Sequence, residues 1–131
     1  KRRGNRHHAH PRAALMQVLR IEGLPEAPLD AAAAFHAEWM PQARALLASL
    51  PKGEDLVLNF PPADHTHRAW HLAAVQGLAR ESAPLRVNAL ASDDQAAIES
   101  ALGYIANAPG LTGQYLALDD TGAGSVIGSL A

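Results

Sequence analysis

The sequence contains no cysteine, so neither a disulfide framework nor thiolate chemistry, metal-binding or nucleophilic, is open to it. That absence is in keeping with a cytoplasmic protein. Aromatic residues are few, two each of Phe, Trp and Tyr, while 28 positions are alanine. A core must therefore be built from Leu, Val and Ile packed against closely approaching, Ala-lined helices. Basic residues are scarce beyond the first twelve positions. Lys1, Arg2, Arg3, Arg6 and Arg12 are five of the eleven, and from Ala13 onward six basic residues face thirteen acidic ones, a net charge of −7. Such a domain repels phosphate backbones, which argues against a nucleic-acid partner. No apolar run approaches the length of a bilayer span, which argues against a membrane partner. The opening "KRRGNRHHAHPRAALM" has no uninterrupted apolar segment, so a secretory signal is not expected. Residues 1–15 read as a disordered leader or tag, and the "HHAH" within them is given no biological weight.

What is present alternates. The chain of 131 residues has room for one domain. "MQVLRIE" (16–22) reads as a strand closed by a Gly/Pro turn. Asp30 is expected to cap a helix running to about Leu50, with Phe35, Trp39, Ala43, Leu46 and Leu50 on one face and Pro41 as an internal kink. "DLVLNF" (55–60) has the near-continuous apolar character of a strand buried on both faces. A second helix is expected over Thr66 to Glu81, then a strand over "LRVNALA" (85–91). "SDDQ" (92–95) matches a capping box, with Ser92 as N-cap and Gln95 reaching back, and the helix it opens runs to about Ala106. "QYLALD" (114–119) is the last strand expected. The pattern β-α-β-α-β-α-β predicts an α/β fold, a Rossmann-like arrangement in two or three layers with about four parallel strands alternating with three helices. Residues 16–120 form the expected domain, and 121–131 a flexible Gly/Ser tail.

Three of the seven histidines fall in "PPADHTHRAWH" (61–71). His67 and His71 are four apart and share a helix face, the spacing of a two-histidine metal site. Yet Arg68, Ala69 and Trp70 lie between them where metal motifs place a glutamate, and no metal is expected. Asp64 suits an N-cap and His65 to His67 a polar first turn. His36, beside Glu38, reads as a surface or interface residue.

Four stretches, in order and in register over roughly residues 30–120, resemble the C-terminal half of short-chain dehydrogenases/reductases. "EWMPQAR" is similar to that family's proline-bearing helix. "LVLNFPPA" parallels its strand up to Asn59, "AAVQGLARESAP" its next helix running into "LRVNALA", and "LTGQYLALDD" its last strand. The resemblance implies a Rossmann-like fold, and it implies lost activity. The family's catalytic serine falls at Pro61 and Pro62, and its Tyr-x-x-x-Lys pair on Arg68 and Leu72. After "RVNALA", Ser92 and Asp93 replace a Pro-Gly that lines the nicotinamide site. Reduction requires a phenol to pass a proton and an ammonium to lower its pKa. A dinucleotide fold also needs a Gly-rich turn after its first strand, and "MQVLRIE" is followed by none. "TGAGSVIG" (121–128) approaches such a turn but has Val126 where a glycine belongs and too few residues after it for a helix.

No cofactor is expected from the residues; NAD or NADP enters only through the resemblance. Three functions follow in order of preference. The first is a non-catalytic short-chain-dehydrogenase-like domain acting by self-association, as a homodimer or larger, or by binding a protein partner. The second is a nucleotide or small-molecule binder at the carboxyl ends of the strands, where open α/β sheets bind ligands. Its candidate residues are Asn59, Asp64, His65, His67, Arg68, His71, Ser92 and Asp93. Third comes an enzyme using histidine chemistry. No residue is put forward as catalytic.

Overall fold

A computed structural model describes residues 16–118 and 125–127. The leader at 1–15 and most of the expected tail lie outside the described residues. Strand β1 (Met16–Arg20) leads into a long helix made of α1 (Pro28–Ala34), a π-helical turn (Phe35–Trp39) and α2 (Met40–Ser49). Strand β2 (Asp55–Phe60) is followed by a 3₁₀ turn (His65–His67) and α3 (Arg68–Ser82). Then come β3 (Val87–Ala91), α4 (Gln95–Ala106), β4 (Tyr115–Ala117) and β5 (Ser125–Ile127). The sheet has the order β1-β2-β3-β4-β5, with the first four strands parallel and β5 antiparallel to β4. The expected four parallel strands and three helical connections are present. Residues 125–127, read from the sequence as part of a tail, form a fifth strand.

Local differences from expectation have local causes. The first helix starts at Pro28 and not after an Asp30 cap; Ala27 is the N-cap and uses no side chain. Proline at N1 sacrifices no amide bond and pre-sets φ, and Asp30 instead places a carboxylate in the positive first turn. Pro41 does not break the helix because the π turn stands directly before it, widening the spiral where a proline ring would meet the preceding carbonyl. The last helix is capped by Asp94, which accepts from Ala96 N at 2.9 Å and Ala97 N at 3.3 Å. Ser92 serves one step earlier, its Oγ accepting from Asp94 N at 3.0 Å, and Gln95 bonds Glu99 rather than reaching back.

β2 is buried along its whole length, as its apolar run predicted. One face of the sheet carries Leu56, Leu58, Phe60, Val87, Ala89 and Tyr115 against Phe35, Ala43, Leu47, Val75 and Leu78 of the π turn, α2 and α3. The other face carries Val57, Leu90 and Leu116 against Ile98, Ala101 and Ile105 of α4. Crossovers β2-α3-β3 and β3-α4-β4 step across the sheet in the same direction, yet their helices lie on opposite faces. They are therefore of opposite hand, against the near-universal rule that would place all three helices on one side. Three layers result. Among the described residues no helix is long and apolar enough to cross a membrane.

Candidate functional site

At the amino ends of the strands, Arg86 and Asp55 form a buried ion pair, Nη2 to Oδ2 at 2.7 Å and Nε to Oδ2 at 3.0 Å. Arg86 Nη1 also donates to the carbonyls of Ala108 (2.7 Å) and Leu111 (3.2 Å), fastening the loop that leaves α4. Asn88, fully buried, joins the same loop by donating to Leu111 O and accepting from Gln114 N. These groups hold the fold and line neither of the cavities at the opposite end of the strands.

The carboxyl ends are different. Between the loop after β1 and the loop after β2 lies a cavity of about 760 Å³, bounded by residues 24–28 and Ala31 on one side and by 61–64, Thr66, His67 and His71 on the other. Gly23 permits the turn into the first loop with φ +75°. A smaller cavity of about 190 Å³ lies over the ends of β1, β2 and β3, where Asn59, Ser92 and Asp93 meet Arg20 and Glu22. Pro61 and Pro62 border both. The eight candidate residues thus divide. Asp64, His67 and His71 line the larger cavity, Asn59, Ser92 and Asp93 the smaller, and the exposed His65 and Arg68 line neither.

Asp64 is the N-cap its position predicted, its Oδ1 accepting from Thr66 N at 2.9 Å and from the Thr66 hydroxyl. Those bonds to Thr66 hold its carboxyl below the usual range, with the nearby His65 and His67 acting in the same direction. Asn59 uses both of its amide N–H groups: Nδ2 donates to Ser92 O at 3.1 Å and to Phe60 O at 3.0 Å, clamping β2 to the end of β3.

The two helix histidines, alike in sequence, differ in the fold. His67 is half-buried and both of its nitrogens have partners. Trp70 Nε1 donates to its Nδ1 at 3.0 Å, so the ring proton is on Nε2, which meets Glu26 O at 3.1 Å. His67 thereby ties the start of α3 to the loop after β1. His71 is buried, stacked on Phe60 with ring centroids 3.9 Å apart and flanked by Trp70 at 4.4 Å. Its Nδ1 lies 2.7 Å from the hydroxyl of Tyr115 on β4. Burial lowers the His71 pKa to about 3, and the charge of a protonated His67 works in the same direction. Burial pushes Tyr115 up to about 12, against the opposing pull of Arg68. Both groups are uncharged at neutral pH.

Sequence reasoning did not foresee Tyr115, Phe60 or Trp70 as parts of this site. A usable signal was present in Tyr115, since a tyrosine at a core-facing strand position must find a partner for its hydroxyl. Among the described residues no group of three His, Asp or Glu side chains gathers closely enough to hold a metal ion.

A family model described as short chain dehydrogenase-like protein matches residues 19–118. No curated protein and no solved structure matches the chain. The matched segment begins near the end of β1 and ends just after β4, taking in the other three parallel strands, all the helices between them and both cavities. The chain belongs to the short chain dehydrogenase-like family.

Proposed function

We propose that this domain holds a small molecule in the larger cavity at the carboxyl ends of β1 and β2, and acts by binding rather than by hydride transfer. The observation that carries the reading is the cavity itself, set where open α/β sheets receive ligands and floored by a buried, uncharged histidine. The positions that the family resemblance assigns to the serine, tyrosine and lysine are Pro61–Pro62, Arg68 and Leu72. They supply neither a phenol to pass a proton nor an ammonium to activate it.

A nicotinamide dinucleotide, the cofactor that the family implies, does not fit the residues at this edge. Its pyrophosphate requires a cluster of backbone N–H donors free of negative charge. The turn after β1 offers Glu22, a single glycine and Glu26, and its Pro25 and Pro28 have no N–H to give. No step is assigned to such a cofactor. The test is a panel of ketones and alcohols with NADH and NADPH followed by absorbance, alongside calorimetric titration of small cyclic probes. Heat of binding without turnover is expected; turnover lost in His67→Ala or Arg68→Ala would overturn the reading.

Self-association is a second reading, supported by a different observation. The outer edge of β1 has no strand beside it among the described residues, and Val18, on the face that α4 covers elsewhere, is 43% exposed. The outward surfaces of α2 and α3 carry Ala45, Ala48, Ala69 and Ala73, all exposed and small enough for close helix approach. Light scattering at micromolar concentration decides it: a dimer mass is expected, and a persistent monomer would end it.

A further inference from the structure

We propose that His71 presents its Nε2–H to the larger cavity as a fixed, uncharged hydrogen-bond donor, and that the ligand is a neutral molecule whose carbonyl or amide oxygen accepts from it. The inference rests on the binding reading above and names the class of ligand.

The argument begins with the hydroxyl of Tyr115. Its residue is 2% exposed, and the hydroxyl's sole partner among the described residues is His71 Nδ1. If Nδ1 carried the ring proton and donated to the phenol oxygen, the hydroxyl hydrogen would be left buried with no acceptor. Such an orphan is costly and rare. If the hydroxyl donates to Nδ1, both groups are satisfied and the ring proton stands on Nε2. That nitrogen has no hydrogen-bond partner among the described residues. Among the described residues the only fully enclosed side-chain atom lacking a partner is Gln114 Oε1. Nε2 of His71 is therefore not enclosed, and it opens on the cavity that His71 lines. Phe60 below and Trp70 at the side hold the ring so that the donor direction is set in advance.

The rest of the wall selects against charge. Asp64, ionised and held by Thr66, and Glu26 both line the cavity, and no lysine or arginine does among the described residues. A carboxylate ligand would lie beside like charge in a half-enclosed space. A cation would be drawn to Asp64 and Glu26 but gives His71 Nε2–H nothing to donate to. Four prolines, at 25, 28, 61 and 62, together with Leu24 and Ala31, offer an apolar, largely pre-shaped wall to the body of the ligand. A neutral acceptor on an apolar ring satisfies all of these conditions at once.

Benzamide, benzoate and benzylamine share one ring and differ in head group, and serve as probes. Long-range ¹⁵N–¹H NMR of the imidazoles, without any probe, reads the tautomer directly. The expected result is a protonated Nε2 and an acceptor Nδ1 at His71. Titrations should show benzamide tighter than benzoate and benzylamine by about tenfold or more, the effect of one hydrogen bond of ordinary strength. His71→Phe should remove that preference, while His71→Gln, which keeps an N–H donor, should restore part of it. Since His71→Phe could disturb folding, the tautomer and the three-probe ranking in the wild-type protein stand as independent measurements. A proton on Nδ1, equal affinity for the three probes, or benzamide affinity unchanged in His71→Phe would overturn this inference alone. A correct tautomer with no probe bound would overturn the binding reading as well.

Discussion

The two ends of the sheet each bury polar groups and treat them in opposite ways. At the amino ends, Arg86 donates to Asp55 and to the carbonyls of Ala108 and Leu111, and Asn88 closes the same loop. At the carboxyl ends, His71 has one nitrogen satisfied by Tyr115 and the other turned to a cavity. Complete satisfaction is what buried polar groups need when they only hold the fold. A buried donor left facing a cavity points to a partner that arrives from outside. In this molecule, whether an unmet bond faces a cavity or, like Gln114 Oε1 at the amino ends, the closed interior separates site from scaffold better than residue type does.

Mutation should break the comparison most visibly at the amino ends. Asp55→Ala leaves the Arg86 guanidinium buried without its carboxylate, and denaturant unfolding should show a loss of about 3–5 kcal/mol. It should leave probe affinity at the opposite end unchanged. A loss below about 1 kcal/mol would mean that the carbonyls alone neutralise Arg86 and that this end is not the scaffold it resembles.

Acid should act next, and at the carboxyl ends. In the unfolded chain a histidine takes up its proton near pH 6.5, whereas His71 in the fold resists protonation down to about 3. Between those values the unfolded chain binds more protons, so stability is full above about pH 6.5 and declines as the pH falls toward 3. The contribution is about 1 kcal/mol per pH unit, so roughly 2 kcal/mol between pH 6.5 and 4.5. Comparing the pH slope of His71→Phe with that of the wild type isolates it from the carboxylates. Equal slopes would show that His71 is protonated without strain.

Smaller still is Tyr115→Phe, which removes one buried hydrogen bond and should cost about 1 kcal/mol. Its sharper signature is spectroscopic: with the hydroxyl gone, the His71 proton is no longer confined to Nε2, and its ¹⁵N pattern should change. Asp94→Ala, which uncaps α4, should cost about 1 kcal/mol, with Ser92→Ala below it. If Ser92→Ala were the more damaging, the capping box read from the sequence would be the better description. Zinc should produce no melting shift once residues 1–15 are removed. A shift lost in His67→Ala/His71→Ala would show instead that the two histidines serve a metal.

Much of the scaffold was legible because its signals are local. "DLVLNF" declares a strand buried on both faces, Asp64 before a polar turn declares a cap, and the alternation of elements declares an α/β sheet. What escaped depends on contacts distant in sequence. Ser125–Ile127 is three residues among glycines, and only pairing with β4 makes it a strand. That one helix would cross to the second face follows from a strand buried on both sides, but which helix does so was hidden, because the handedness rule places all three on one side. Asp55 and Arg86 each stand just ahead of an apolar run, a coincidence that acquires meaning only when the strands lie side by side. At the site, His67 and His71 are indistinguishable by spacing. One turn toward the sheet makes the first a clasp and the second a donor.

The π turn at Phe35–Trp39 has a bearing on the cavity wall. In a regular α-helix, Ala43 would lie roughly 80° around the axis from Phe35, since each residue advances about 100°. An extra residue in one turn sets the following helix back by about that single step. Both side chains are fully buried against the sheet, as this correction requires. The stretch "FHAEWMP" therefore works as a phase adjuster between α2, anchored through Ala43 and Leu47, and α1, whose Pro28 and Ala31 border the cavity. Removing Ala37 would leave a more regular helix and a worse protein. One half of it would rotate off the sheet, and the wall above Pro61 and Pro62 would turn with it.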